Sequence, residues 1–197
     1  MLEITFILRA SALEILNSKG DLIFRDPDKK LIGKGEAFLA SDVNMVNCDF
    51  SGAHFRNVSF QFGDIGSSMF KSARFEDVEM EGTWMNDTDF HEATFSGVEF
   101  YFTTGYASKW RQSKIEMVKF FGANLSKADF REAHLMGVGF VKDNVGGKCS
   151  LNGVNFALTI FEDVSFDGAT YDGDTIFPVG FDPERTVGLT YDDSVHC

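Results

Sequence analysis

The residue types that most often carry chemistry are present in this chain, but never in a working arrangement. His54 and His134 hold the same position in a repeat described below, yet they stand four turns apart. At the usual interstrand spacing that is about 19 Å, too far to share a metal ion. His91 and His196 have no ligand-spaced partner. The acidic pairs Glu76-Asp77 and Glu162-Asp163 fall at outward or corner positions and read as solvated carboxylates. Asp172-Gly173-Asp174 lacks the remainder of a calcium loop and reads as a turn. Gly146-Gly147 is followed by no strand-to-helix junction, so it is no phosphate cradle. The three cysteines, Cys48, Cys149 and Cys197, are an odd number with no close pair, which supports no disulfide framework. Cys48 occupies a small interior position and reads as a packed thiol. Cys149, placed in a loop, and Cys197, at the terminus, are the two expected to react. The chain therefore reads as a non-enzyme, with no catalytic residue, no cofactor and no metal site.

What must position these side chains is a period of five. From Met45 to Phe140 every fifth residue is large and apolar, with the single exception of Gly105. Two residues before each stands a small one, from Val43 to Val138, in all twenty places. Five matches neither the 3.6 of a helix nor the 2 of a strand, so the chain must change direction every five residues. Residue types repeat again at twenty: Val58, Val78, Val98, Val118 and Val138 form one column, and Phe50, Phe70, Phe90, Trp110 and Phe130 another. Twenty residues per turn at five per side is a four-sided, all-β, parallel solenoid. Each side is a very short strand pairing with the sides above and below at about 4.8 Å, so five coils span about 24 Å. Backbone groups are satisfied between coils and like side chains stack inside. The periodic residues are core. Each buried Phe is worth about 1.5–3 kcal/mol, and none is free to hold a ligand.

The triplets Ala123-Asn124-Leu125, Ala128-Asp129-Phe130, Ala133-His134-Leu135 and Cys48-Asp49-Phe50 resemble the pentapeptide repeat family, whose pattern is a small residue, Asp or Asn, then Leu or Phe and two variable residues. The resemblance covers about residues 43–172 and implies a right-handed quadrilateral β-helix. The chain departs from the pattern past Phe140. There the large residues become Leu151, Phe156, Phe161, Phe166 and Tyr171, one position out of register, with Val154, Thr159, Val164 and Ala169 two before them. Residues 141–150, which include Asn144, Gly146 and Gly147, are therefore expected to loop or bulge from a coil.

Three regions follow: a cap over 1–40, the β-helix over 41–175, and a C-terminal cap and tail over 176–197. In the first, Leu2, Ile4, Phe6 and Leu8 alternate, and Asp26-Pro27-Asp28 signals a turn, so a small β-hairpin or meander is expected, with a helix over 11–17 as the competing reading. Solenoid ends need such covers to block edge-to-edge stacking. In the third, 174–183 is expected to fold over the last coil through Ile176, Phe177, Val179 and Phe181, and 186–197 to be disordered. No run of eighteen apolar residues occurs, and Glu3, Arg9 and Glu14 interrupt the first seventeen residues. Neither a membrane span nor a secretory signal is expected, and the compartment expected is the cytoplasm.

The net charge is −12. Some pentapeptide repeat proteins act as acidic mimics of DNA on type II topoisomerases, and the resemblance extends that expectation here. Along the chain, however, the charge is neutral over 1–40, −8 over 41–100, +3 over 101–140 and −7 over 141–197, whereas duplex DNA is acidic at every step. A second surface feature is aromatic. Phe62, Trp84, Tyr101, Phe102, Tyr106 and Phe121 all take outward positions, with remainders 2, 4, 1, 2, 6 and 1 modulo twenty, and so line one corner of the prism. Six rings on one edge are not scattered singles. Either a terminal segment packs on them, or they form a partner or dimer interface. The function read from these features is a non-enzymatic scaffold for protein–protein interaction. The alternative is a DNA-mimic inhibitor or protector of DNA gyrase or another type II topoisomerase. The partner is a protein, a topoisomerase being one candidate, with no direct nucleic-acid or membrane contact, and the chain is a monomer or homodimer.

Overall fold

The period of five becomes a corner every five residues in the computed structural model of the chain. It describes residues 42–194 apart from 43 and 57, together with the backbone of short strands between Leu2 and Ser41. Ile4, Val43, Pro27, Asp28, His196 and Cys197 lie outside the described residues. Two of the four sides are continuous parallel sheets. On the Phe55 side, Ala53–Arg56, Arg74–Glu76, Thr94–Ser96, Lys114–Glu116, His134–Met136 and Ile160–Glu162 stack in order, and Leu2–Glu3 pairs below the first. On the Phe60 side, Val58–Gln61, Glu79–Glu81, Glu99–Tyr101, Lys119–Phe121 and Gly139–Val141 stack likewise, on Ala37–Ser41. The Met45 and Phe50 sides are flatter still, joined by single bridges such as Asn44↔Asp64 and Asp49↔Met69.

One backbone device makes all the corners. From Met45 through Leu135, and again from Leu151 through Phe166, the second residue after each large one has a positive φ wherever it is described. Gly52, Gly82 and Gly97 suit that conformation, but Phe62 (54°), Met117 (52°) and Leu158 (63°) adopt it as well. A side chain in this left-handed region costs about 1–2 kcal/mol. The coil hydrogen bonds on both sides offset that cost. After the Met45 and Phe50 sides the corner is a closed turn, as where the Ala73 N–H donates to the Phe70 carbonyl at 3.0 Å and the Ala93 N–H to Phe90 at 3.0 Å.

The interior is a set of ring ladders. Phe50, Phe70, Phe90, Trp110, Phe130, Phe156 and Phe177 follow one another at centroid distances of 4.4–5.9 Å. Phe100, Phe120, Phe140 and Phe166 form a second ladder at 4.7–5.5 Å. Stacked or edge-on rings add about 0.5–1.5 kcal/mol per pair beyond area burial. Several polar members of the small column are satisfied locally: Thr88 Oγ1 donates to the Ile65 carbonyl (3.0 Å), Ser113 Oγ to Trp110 (2.6 Å) and Thr159 Oγ1 to Phe130 (2.7 Å), whereas the buried Thr103 Oγ1 finds no partner among the described residues. Gly105, the exception among the large residues, is filled from outside. A Cβ there would lie 2.9 Å from Met85 Cε and 3.0 Å from Leu125 Cδ2, and the next core residue of that coil is the one Trp of the ladder. Its indole N–H donates to Ser108 Oγ (2.7 Å), which donates in turn to the Gly105 carbonyl (2.7 Å).

Past Phe140 the coil lengthens. Asn124 bridges Ser150 and Asp129 bridges Asn155, twenty-six positions apart instead of twenty, while Cys149 and Ala169 resume the normal spacing. The six extra residues lie within the loop 142–148, organised by Asp143, whose Oδ1 accepts from the N–H groups of Val145 (2.8 Å) and Gly147 (2.7 Å). Six is one more than a side, which is why the core positions reappear one out of step at Leu151.

At the C-terminal end Phe177 and Phe181 pack on Phe156 and Phe161, whereas Ile176 and Val179 point to solvent. Residues 186–194 are not disordered as expected: Thr190–Tyr191 pairs in parallel with Ala169–Tyr171 and begins a further coil. At the N-terminal end Thr5–Arg9, Ala12–Leu16 and Leu22–Asp26 form an antiparallel meander, with a strand where the helix over 11–17 was the competing reading. Leu31–Lys34 and Ala37–Ser41 form a hairpin. No helix among the described residues is long and apolar enough to cross a membrane.

Candidate functional site

The side chains with chemical potential are placed apart or tied to neighbours. His54 Nε2 lies 3.3 Å from Glu76 and His134 Nε2 2.9 Å from Glu162, each bridging adjacent coils of the Phe55 side. Arg56 also reaches Glu76 (3.2 Å), Lys114 reaches Glu116 (2.5 Å), and Arg111 reaches Glu132 (3.2 Å). Burial pushes the Asp129 carboxyl up, but its hydrogen bonds to Arg131 and the guanidinium charge outweigh that and hold it below the ordinary carboxylate value. Asp172 is buried within a turn, its Oδ1 accepting from Gly153 N–H (2.8 Å), Asp174 N–H (3.1 Å) and Thr175 Oγ1 (2.9 Å). Among the described residues no group of three or more His, Cys, Asp or Glu side chains could hold a metal ion. Cys149 is not the reactive loop thiol expected from its neighbours. It sits in the small interior slot two before Leu151, fully buried, and burial raises its pKa far above that of a free thiol. Cys48 is half-buried and its thiol is raised for the same reason.

The aromatic corner lies between the Phe60 and Met45 sides and is open to solvent. Phe62 is 60%, Trp84 58%, Phe102 42% and Tyr106 41% exposed. Phe62 and Phe102 occupy the positive-φ corner positions themselves, while Gly82 and Gly122 take the same position in the intervening coils. The Phe62 ring lies over Gly82, so close that a Cβ there would meet it at 2.6 Å. Tyr101 and Phe121 are paired on adjacent strands of the Phe60 side and stack at 4.5 Å with 3° between planes. Trp84 stands on the Met45 side between Asp64 below and Thr104 above. Tyr106 stands one coil above Asn86, whose side chain accepts its N–H (2.9 Å). The corner thus brings Tyr101 and Phe121 into contact, and aligns Phe62, Trp84 and Phe102 without ring pairing among them.

One lysine in the upper coils already uses this edge, Lys119 Nζ lying 5.8 Å from the Phe121 ring centroid; Tyr106, which the sequence placed on the same corner, stands instead at the next one, between the Met45 and Phe50 sides, with Lys127 Nζ 5.4 Å from its centroid. In the lower coils the neighbours are carboxylates. Glu79 and Glu81 point outward from one strand, Glu99 is stacked on Glu79, and none of the three has an ion-pair partner among the described residues. Each holds only a neutral donor: Ser59 to Glu79 (3.5 Å), Gln61 to Glu81 (3.3 Å) and Tyr101 to Glu99 (2.8 Å). Burial, then the hydrogen bond to Glu99, pushes the Tyr101 phenol up to about 12. These carboxylates were missed by counting charge along the chain, which averages all four sides; counting by remainder modulo twenty would have found them.

The family model for pentapeptide repeats, in eight copies, matches residues 40–68 and 73–104. No curated protein matches the chain. Among solved structures, QnrB1, a plasmid-mediated fluoroquinolone resistance protein, is 17% identical, with 79% of this chain and 82% of that one covered and a TM-score of 0.46. Rfr23, a pentapeptide repeat protein of the cyanobacterium Cyanothece 51142, is 10% identical over 71% of this chain and 90% of that one, with a TM-score of 0.31. HetL of Nostoc sp. strain PCC 7120, a pentapeptide repeat protein involved in heterocyst differentiation regulation, is 12% identical over 66% and 89%, with a TM-score of 0.19. All three scores fall below 0.5 and carry no argument; what is shown is that residues 40–68 and 73–104 match pentapeptide repeats, within a coil register of twenty and a four-sided core.

Proposed function

We propose that the chain is a non-enzymatic scaffold that binds another protein through its aromatic corner. The observation that carries this reading is the exposure of Phe62, Trp84 and Phe102, two of them in a backbone conformation that favours glycine. Neither burial nor local preference accounts for large rings at those positions, and apolar patches of this kind on soluble folds mark contact sites. Replacing Trp84 by Ala and Phe102 by Ser should leave thermal stability within about 1 kcal/mol and abolish capture of the partner from a lysate of the native organism. Retained capture would refute the assignment. A second reading, DNA mimicry on a type II topoisomerase, is favoured by Glu79, Glu81 and Glu99, which have no ion-pair partner among the described residues, although Lys119 and Lys142 continue the same side. A gyrase supercoiling assay separates the two readings. Inhibition at low micromolar protein that survives the corner substitutions supports mimicry.

A further inference from the structure

We infer that the lower half of the aromatic corner receives a Lys- or Arg-bearing segment of the partner protein, its cationic groups stacking on Phe62, Trp84 and Phe102 and pairing with Glu79, Glu81 and Glu99. The inference rests on the proposed use of the corner as an interaction edge and adds the chemistry of what it takes.

The molecule supplies the precedent. Along this edge the upper coil completes its ring from within, Lys119 over Phe121, as Lys127 does over Tyr106 at the next corner. The column that holds Lys119 holds Glu99 one coil below and Glu79 two coils below, so descending the edge replaces the internal cation by carboxylates while the rings continue as Tyr101, Phe102, Trp84 and Phe62. A ring face attracts a cation, and a neighbouring carboxylate strengthens the attraction by adding a charge-assisted hydrogen bond. The lower coils therefore present both halves of a cation site and, among the described residues, no cation. Several carboxylates elsewhere on the solenoid differ: Glu76, Glu116, Glu132 and Asp129 each hold a basic partner from this chain. Asp64, one coil below Trp84, is a further carboxylate on the adjoining Met45 side, its Oδ1 accepting from the Gly66 N–H (2.8 Å). Apolar association alone would not call for unpaired acids along the rim. A guanidinium, planar and weakly hydrated, is the group best suited to lie on these rings while donating to the glutamates.

The test is fluorescence titration of the full-length protein with a labelled peptide of alternating arginine and alanine, against the same peptide carrying citrulline, which keeps the shape and lacks the charge. Trp110 is fully buried, so the tryptophan that responds is Trp84. The arginine peptide should bind and the citrulline peptide should not, and binding should weaken as salt rises from low to physiological strength. Trp84→Ala should weaken binding about three- to fivefold, the size of one exposed cation–ring contact. The double substitution Glu79→Gln with Glu81→Gln should weaken it about tenfold. The double control Glu116→Gln with Glu132→Gln removes the same charge from other sides and should change it less than about twofold. Equal losses in the control would reduce the effect to net charge and overturn the proposal, as would equal binding of the citrulline peptide. A wild-type dimer in sedimentation that Phe102→Ser converts to a monomer would assign the corner to a second copy of the chain and overturn it too. If the peptide fails to bind while the corner substitutions still abolish partner capture, the cationic assignment falls and the interaction edge stands. If capture also persists, both fall.

Discussion

Trp110 and Gly105 show how a single residue is set by its neighbours in space. The coil that lacks a large side chain at Gly105 carries the largest ring on the next side, and Met85 and Leu125 close over the glycine. Gly105→Leu should cost about 3 kcal/mol through overpacking. Trp110→Phe should cost about 1–3 kcal/mol through the void it leaves and the lost donor to Ser108. Denaturant titration measures both, and a neutral Gly105→Leu would contradict the packing described. Phe95, stacked on Phe75 at 4.7 Å, should cost about 3–5 kcal/mol as Ala, and Ala93→Leu should also be damaging, whereas Glu99→Ala should be nearly neutral. Glu99→Ala should instead lower the Tyr101 pKa from about 12 towards the ordinary 10, read by tyrosinate absorbance. The sign follows: the folded protein holds the phenol proton more tightly than the unfolded chain, so this group's contribution is present below pH 10 and is lost as pH rises towards about 12. Individual core residues were legible in the sequence because each obeys the period. Cys149 was legible too, two before Leu151, but the turn residues around it masked its place in the shifted series.

At the level of the element, the repeating unit is a short extended side and a left-handed corner. The corner's demand on φ explains an otherwise odd tolerance for glycine. Met117→Gly, at a φ of 52°, should be neutral or stabilising within about 1 kcal/mol, because relief of the backbone offsets the added freedom of the unfolded chain. Met136→Gly, one residue past the large Leu135 and inside the strand His134–Met136, should destabilise by about 0.5–1 kcal/mol. Thermal melts of the pair decide whether the corner or the composition sets the preference. The loop 142–148 offers a sharper test. Deleting residues 143–148 joins Lys142 to Cys149 and restores spacing of twenty between Leu125 and Leu151, so the variant should fold with its melting temperature within a few degrees. A large loss of stability would mean that the loop is part of the coil and not an insertion into it. The slip of one was legible from Leu151 onward. The path of the loop was not, because it depends on Asp143 gathering the N–H groups of Val145 and Gly147, and nothing in a period announces that contact.

For the whole molecule, the four-sided stack predicts a β-dominated circular dichroism spectrum and an elongated scattering envelope, a seven-strand sheet at about 4.8 Å per strand spanning about 29 Å between its end strands. Helix content near the globular share of about a third would contradict it. The architecture was readable from one sequence because repeats of five and twenty encode side and coil directly. Function was less readable, since an interaction edge is a property of columns brought together from different coils. On the Phe50 side acids and bases alternate, with Asp89, Glu92, Asp129 and Glu132 beside Lys71, Lys109, Arg111 and Arg131, while Glu79 and Glu81 of the Phe60 side face only Ser59, Gln61, Glu99 and Tyr101 on the adjacent strands. Segment totals conceal that difference. The N-terminal region was readable as β structure from alternation, but the pairing of Leu2–Glu3 and Ala37–Ser41 with the first coil required the fold.

The hydrogen bonds between coils run along the solenoid axis, for example from Phe70 N–H to the Asp89 carbonyl one coil away. Pulled apart from its two ends, the chain would load those bonds in tension, a few at a time, and would peel open one turn after another instead of shearing as a block. Each turn surrenders twenty residues, an extension of about 65–70 Å at full stretch. A force trace should show a sawtooth of nearly even teeth. The turn that carries the loop is six residues longer and should give a wider tooth, locating that coil within the trace.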